Sequence, residues 1–354
     1  MRIVNAMKLL VSALEPSANL HLKEVLKHTE DVALMGIFEK SIMQGTPLYD
    51  ISQMAIMGFV DAIKKLRWFF KVADEMVELA KDADKVLLMD SSGFNLPLAK
   101  KLKEKYPEKE IIYYILPQVW ASRPKRVEKL EKYCDRLLGI LPFETSYYPS
   151  GKAEYVGHPL LDEIDVIRND TRVKGVIAFL PGSRSSEIRK LMPIFLELRR
   201  RLGNDIHPLL VIPQSFSKQK IAKLYRGNRE FEIVRDTHKA LSRSEFAFIC
   251  SGTATLEAAL IGTPFTLAYI AKKIDYFIGK NLLNITQVGL ANIILNRYNG
   301  TNLHNELLQE DVTVEKLLSE YRETDRTIFA QKAQELSAYL AHGSSKNVAQ
   351  IICS

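Results

Sequence analysis

At 354 residues with 47% hydrophobic side chains, the chain exceeds the ~250–300 residues at which a single core stops growing, so two domains are the default. Its 49 Lys and Arg against 42 Asp and Glu leave a formal charge of +7, which suits phosphorylated ligands or an anionic membrane surface; no dense basic run with interleaved aromatics argues for nucleic acid. Cys134, Cys250 and Cys353 are far apart and form no CxxC, which speaks against a zinc site or disulfide framework and for a reducing, cytoplasmic compartment.

The first six residues precede Met7-Lys-Leu-Leu-Val and carry no pattern of their own. The apolar run from Leu9 to Leu14, between Lys8 and Glu15, is too short for a signal peptide or a spanning helix, so any membrane contact is expected to be peripheral. Short apolar runs near 8–13, 32–36, 85–89, 110–116, 136–140 and 153–156 read as strands. Between them, Asn19 is expected to cap a helix over 20–27, and helical patterns follow over 60–81, 96–105 and 125–132. A polar passage from Gly157 to Arg172 reads as a linker, with the boundary near 160–172. Beyond it, strands near 176–180, 208–212, 231–234, 246–250 and 265–269 alternate with helices near 187–202, 217–225, 256–261 and 274–283, and one closing helix is read over 324–340. This alternation predicts parallel βαβ units: an α/β protein with one domain over 1–165, a second over 166–323, and a C-terminal helical stretch over 324–354 returning onto the first.

Open α/β domains bind ligands at the carboxyl ends of their strands, so the loops there carry the candidate chemistry. Gly175-Val-Ile-Ala-Phe-Leu-Pro-Gly-Ser-Arg184 is a buried-strand pattern that breaks at Pro-Gly-Ser-Arg and restarts as an amphipathic helix. Gly182 permits a tight turn and close approach, the helix start offers free N–H groups, and Arg184 adds a planar cation. Such a turn suits a diphosphate; standing alone it is more often an ordinary loop with a surface Arg. A second strand, Glu245 to Cys250, ends likewise in Ser251-Gly-Thr-Ala-Thr255 ahead of Glu257. Glu257 suits a vicinal diol such as ribose, and also the dipole of a helix's first turn. Asp90, directly after Val86-Leu-Leu-Met89, fits a general base and, equally well, a side chain that only hydrogen-bonds the turn or caps the helix at Leu96. Asp82-Ala-Asp84 spells a metal-holding DxD, but it precedes its strand and lies between Lys81 and Lys85, so no metal is expected. Trp120 and Arg123, after the strand near 110–116, face either a ligand or the domain edge. His158 reads as structural. Met54-Ala-Ile-Met-Gly-Phe-Val60 with Lys64-Lys-Leu-Arg-Trp-Phe-Phe70 mixes apolar, basic and aromatic residues as a lipid-facing surface does, and as a helical core does. No G-x-G-x-x-G follows a strand, which argues against a dinucleotide oxidoreductase.

Together these segments resemble the lipid-A-disaccharide synthase family, inverting glycosyltransferases of the two-Rossmann GT-B architecture. The resemblance runs through Met57-Gly58, Asp90 with Phe94-Asn95, Pro117-Gln-Val-Trp-Ala121 with Arg123, Leu141-Pro-Phe-Glu144, Val156-Gly-His-Pro-Leu160, Leu180-Pro-Gly-Ser-Arg184 with Glu187, Ser251-Gly-Thr-Ala-Thr-Leu-Glu257, Tyr269, Asn292 and Glu306-Leu-Leu-Gln309. It implies two Rossmann-like domains facing a central cleft. It implies transfer of 2,3-diacylglucosamine from its UDP conjugate to the 6-hydroxyl of 2,3-diacylglucosamine 1-phosphate, giving a β-1,6 disaccharide and UDP. No cofactor or nucleic acid is expected, and the enzyme is expected in the cytoplasm, peripheral to the inner membrane. By the same resemblance Asp90 is the base and Arg184 the diphosphate ligand. Gly182, Ser183, Ser251, Gly252, Thr253, Ala254, Thr255, Glu257, Tyr269, Asn292 and Gln309 surround the UDP on the second domain. Glu15, Ser17, Met57, Phe59, Asn95, Trp120 and Arg123 serve the acceptor and its lipid on the first.

Four departures stand out. Where the family has Gly-Glu-x-Ser-Gly-Asp, this chain has Leu14-Glu15-Pro16-Ser17-Ala18-Asn19, and Gly93, Ser122 and Ala291 replace an Asp, a Trp and a Pro. Two rival expectations follow: another UDP-sugar enzyme of this architecture, such as a UDP-N-acetylglucosamine epimerase, or a non-catalytic membrane-surface binding protein.

Overall fold

The computed structural model describes residues 6–42, 44–51, 62–164, 173–271 and 287–354. The chain divides into two compact units, Met1–Glu163 with Leu340–Ser354, and Ile164–Tyr339. In the first, β1 (Met7–Ala13), β2 (Val32–Ile37), β3 (Lys85–Met89), β4 (Glu110–Tyr114), β5 (Arg136–Gly139) and β6 (Ala153–Tyr155) form a parallel sheet in the order β2-β1-β3-β4-β5-β6. In the second, β7 (Val173–Leu180), β8 (His207–Val211), β9 (Glu232–Val234), β10 (Ser244–Ile249), β11 (Phe265–Tyr269) and β12 (Glu306–Leu308) form another, in the order β12-β11-β10-β7-β8-β9.

Continuous apolar runs are what parallel strands covered on both faces require. Along β1 and β3, Leu10, Val86 and Leu88 point into one cluster, while Leu9, Val11, Leu87 and Met89 point into another on the opposite face. Each sheet reverses its strand order once, between β1 and β3 in the first unit and between β7 and β10 in the second. At such a switch point the helices depart to opposite faces and leave a crevice at the carboxyl ends of the strands.

Several elements differ from expectation for identifiable reasons. The first helix spans Pro16–Leu26, with Pro16 at its start, so Asn19 lies inside it and is not its cap. Asn19 is 1% exposed. Its Nδ2 donates to the carbonyls of Ala13 (2.8 Å) and Glu15 (2.9 Å) and its Oδ1 accepts the Glu39 N–H (2.7 Å), tying the ends of β1 and β2 together. The closing helix read over 324–340 is Arg326–Tyr339, in the second unit; a further helix, Ser344–Cys353, follows it, and of the 324–354 stretch expected to return onto the first unit only the part from Leu340 belongs there. The Asp162 carboxylate accepts the N–H groups of Gly343 and Ser345, both at 2.8 Å, and so holds the start of the last helix. Val348, Ala349 and Ile352 then join the cluster around Leu9 and Leu22. The helix expected over 274–283 lies outside the described residues, as does the second half of the linker, 165–172. No helix among the described residues is long and apolar enough to cross a membrane.

Candidate active site

The two glycine turns of the second unit meet at its switch point. The Cys250 N–H donates to the Leu180 carbonyl (2.8 Å), so the turns after β7 and β10 leave the sheet at the same level. They enclose a cavity of about 420 Å³ lined by Gly182, Ser183, Arg184, Ser251, Gly252 and Thr253 among others. Helices Ser185–Arg201 and Thr253–Ile261 both begin there, offering unpaired N–H groups to one volume.

Local chemistry builds each turn. Gly182 has φ +99°, and a Cβ there would come within 2.6 Å of Glu187 Oε2 and 3.2 Å of Cys250 Sγ. Glu187, only 8% exposed, caps the helix by accepting the Arg184 N–H (3.2 Å) and pairs with Arg184 Nη1 at 3.0 Å, while the Arg184 side chain stays 77% exposed. Burial pushes the Cys250 thiol up to about 12, so it lines the cavity as a neutral group. Gly252 has φ +153° and ψ −171°, a region reserved for glycine, although an added Cβ would meet nothing within 4 Å. Its conformation, and not crowding, excludes a side chain, and the backbone is left open to a ligand. Gly182→Ala is expected to lower unfolding free energy by about 1–3 kcal/mol through backbone strain and displacement of Glu187, as read by urea denaturation, and to weaken UDP binding in parallel. Wild-type stability in that variant would mean that the turn tolerates a side chain.

The remaining residues expected around UDP fall into two groups. Glu257 lies beyond the first helical turn, where the helix-dipole alternative loses force, with Oε2 3.7 Å from His238 Nε2. Tyr269 lines a neighbouring cavity of about 260 Å³ shared with Arg184 and Lys190. Gln309 has φ +55°, and its buried Nε2 lacks a protein partner among the described residues. Asn292 is different: 1% exposed, it donates to Glu306 Oε1 (2.8 Å) and the His304 carbonyl (2.9 Å) and accepts the Leu303 N–H (2.8 Å). Glu306 in turn accepts the N–H groups of Val288 (2.8 Å) and Gly289 (3.1 Å), and the Val288 carbonyl accepts Ser251 Oγ at 3.2 Å. Asn292 thus supports Ser251 from behind. Thr255 is also buried, its hydroxyl on the Gly252 carbonyl (2.8 Å). The sequence reading missed helix Thr237–Arg243, which brings Thr237 to the cavity wall; Asp236, accepting the Lys239 N–H, is the capping signal that marks it.

On the first unit, Asp90 follows β3 with φ +47° and Ser91 with φ +39°, two successive left-handed residues that are not glycine. Such backbone costs about 1–3 kcal/mol per residue and needs outside support. The Asp90 carbonyl accepts Asn95 Nδ2 (2.9 Å) and the Tyr113 hydroxyl, and its N–H donates to the Tyr114 carbonyl (3.0 Å). Helix Ser92–Lys105 has Ser91 as N-cap and no side-chain cap, so the capping alternative for Asp90 fails. The Asp90 carboxylate, half-buried, makes no hydrogen bond or ion pair among the described residues. Asn95 is fully buried, bonded also to the Met89 carbonyl (3.0 Å) and Ser12 Oγ (2.6 Å), and anchors Asp90.

Glu15 and Ser17 are exposed at the end of β1, across the switch point from Asp90. Trp120 is half-buried, donating Nε1 to Glu144 Oε1 at 3.3 Å, and Arg123 is exposed with φ +56°. Met57 and Phe59 lie outside the described residues. Asp84 accepts the Lys8 N–H (2.7 Å) at the opposite, amino-terminal edge of the sheet. His158 is 3% exposed, and burial holds its imidazole down at about 3, hence neutral.

Solved structures share this fold at low identity. A UDP-GlcNAc 2-epimerase from Neisseria meningitidis aligns with a TM-score of 0.62 at 11% identity, covering 98% of this chain and 99% of that one. Acinetobacter baumannii MurG aligns at 0.60 and 11%, covering 98% and 99%. Two parallel doubly wound units with loop clusters at their switch points give this chain the GT-B fold. Residues 9–352 match the family model described as lipid-A-disaccharide synthetase. A lipid-A-disaccharide synthase from Helicobacter acinonychis is 49% identical over 357 residues, covering 97% of each chain. The chain belongs to the lipid-A-disaccharide synthase family.

Proposed function

We propose that this enzyme moves 2,3-diacylglucosamine from its UDP conjugate to the 6-hydroxyl of 2,3-diacylglucosamine 1-phosphate. The observation that carries this reading is the cavity of about 420 Å³ in which two glycine turns, two helix starts and Arg184 converge, on a chain of this family. Asp90 takes the proton from the acceptor hydroxyl as its oxygen attacks the anomeric carbon opposite the departing UDP, inverting α to β. Charge growing on the diphosphate is met by Arg184 and by helix N–H groups, while Ser251 to Glu257 and Gln309 hold the nucleotide. Glu15, Ser17, Trp120 and Arg123 serve the acceptor. Both substrates carry acyl chains, and at ~0.8 kcal/mol per buried CH₂ their partial burial holds the enzyme peripherally to the cytoplasmic face of the inner membrane.

The test is a transfer assay with defined acylated donor and acceptor. Disaccharide and UDP in equal amounts are expected. Turnover of plain UDP-N-acetylglucosamine without an acceptor would instead favour the epimerase reading. Since a fixed guanidinium neutralises the leaving group, activity is expected to persist in excess EDTA; a strict requirement for added Mg²⁺ or Mn²⁺ would overturn that assignment.

A further inference from the structure

Behind Trp120 lies a carboxylate that the reaction as described leaves unused. Glu144, 2% exposed, begins the single 3₁₀ turn Glu144–Tyr147 after β5. Its Oε2 accepts the N–H groups of Ile140 and Leu141, both at 3.0 Å, which occupies that oxygen. Its Oε1 accepts the Trp120 indole at 3.3 Å, the longest of the three bonds. The indole also meets Phe143 edge-on, ring centroids 5.4 Å apart at 83°. At Gly139 an added Cβ would come within 3.3 Å of Oε2, so β5 itself leaves room for the carboxylate. Glu144 therefore ties Trp120, after β4, to the end of β5.

We propose that Glu144 is a positioning residue of the acceptor site, setting the Trp120 indole against the acceptor sugar when ionised and releasing it on protonation. The inference rests on the reading of Trp120 as an acceptor-side residue. Where the proton goes follows from the bonds. With Oε2 held by two amides, a proton settles on Oε1, and the hydroxyl oxygen left there is a far weaker acceptor than the carboxylate, so the long Trp120 bond gives way. Desolvation, outweighing the hydrogen bonds from Leu141, Trp120 and Ile140, pushes the Glu144 carboxyl up to about 7, so this exchange falls near neutral pH. No Lys, Arg or His acts on it among the described residues. The titratable neighbour is Tyr148, a buried phenol raised by desolvation and then by Glu144, with Cys134 beyond it. The carboxylate accepts the indole above about pH 7 and releases it below.

The experiment measures steady-state kinetics of the full chain from about pH 6 to about pH 9, varying acceptor and donor separately. In wild type, kcat/KM for the acceptor should rise through about pH 7. Glu144→Gln presents Nε2 to the indole N–H at every pH and so mimics the protonated acid. Its acceptor KM should be raised about tenfold at the alkaline end with that rise gone, and its donor KM should stay within about twofold. Trp120→Phe should behave alike, and the double variant should be no worse than Trp120→Phe alone. A retained pH limb in Glu144→Gln, or equal loss toward donor and acceptor, overturns the proposal.

A second readout does not depend on the substrates. With Trp68→Phe leaving Trp120 as the one tryptophan, indole fluorescence should titrate near pH 7 and cease to do so when Glu144→Gln is added. Failure of wild-type transfer with this titration intact sinks the functional reading alone; a flat titration sinks the link between Glu144 and Trp120.

Discussion

Asp90→Asn should lower kcat by about 10²–10⁴ while leaving the affinity for UDP within a small factor of wild type. Everything that holds Asp90 in place reaches its backbone, through Asn95, the Tyr113 hydroxyl and the Tyr114 carbonyl, so the variant keeps those bonds. Asn also tolerates the left-handed conformation at φ +47° better than most residues, which makes a folding defect an unattractive explanation for lost activity. The amide has the shape of the carboxylate but cannot accept a proton at neutral pH. Ser91, Ser92 and Gly93 follow Asp90, so no carboxylate next to it in the loop takes over. Product formation under single-turnover conditions and calorimetric UDP binding, measured on the same preparation, check both halves. Wild-type transfer by Asp90→Asn would remove Asp90 as base. Joint loss of transfer and UDP binding would place it in the nucleotide site.

The strands were readable because a parallel sheet covered on both faces demands unbroken apolar runs, and Leu9-Leu10-Val11 and Val86-Leu87-Leu88-Met89 leave little choice. Both glycine turns were readable for a backbone reason: Gly182 and Gly252 adopt conformations that side chains rarely take. That they share one cavity was not readable. It depends on β7 and β10 lying side by side, a strand order that local pattern does not encode. β12, three residues long, and the seven-residue helix Thr237–Arg243 went unread, although β6, β9 and the helix Lys218–Leu224 are as short and were read. Asn19, Asn95 and Asn292 show a subtler limit. Each bears a polar side chain near a candidate site, yet each is buried and spends its amide on other protein groups, Asn19 on Ala13 and Glu39, Asn95 on Met89 and Ser12, Asn292 on His304 and Glu306. The left-handed pair Asp90 and Ser91 was hidden likewise, since Tyr113 and Asn95 enforce it from other elements.

Arg184→Ala should raise the Kd for UDP and the donor KM and cut kcat, for a combined loss in kcat/KM toward the donor of about 10²–10³, with the acceptor KM little changed. The argument turns on which bonds the side chain makes. Capping of helix Ser185–Arg201 relies on Glu187 Oε2 accepting the backbone N–H at 184, which survives truncation, so the helix start keeps its form. The guanidinium, 77% exposed and held to Glu187 by one 3.0 Å bond, borders both the large cavity and the smaller one beside Tyr269. An exposed cation contributes little to stability, so truncation should act on ligand binding and not on the fold. Arg184→Lys sharpens the test: a point charge restores long-range attraction but not the planar two-donor fit, so it should recover ground-state UDP binding more than kcat. Binding measured at low and high salt separates the charge term from the geometric one, since only the former is screened. Equal losses toward donor and acceptor, or full rescue of turnover by Lys, would deny Arg184 its place at the diphosphate.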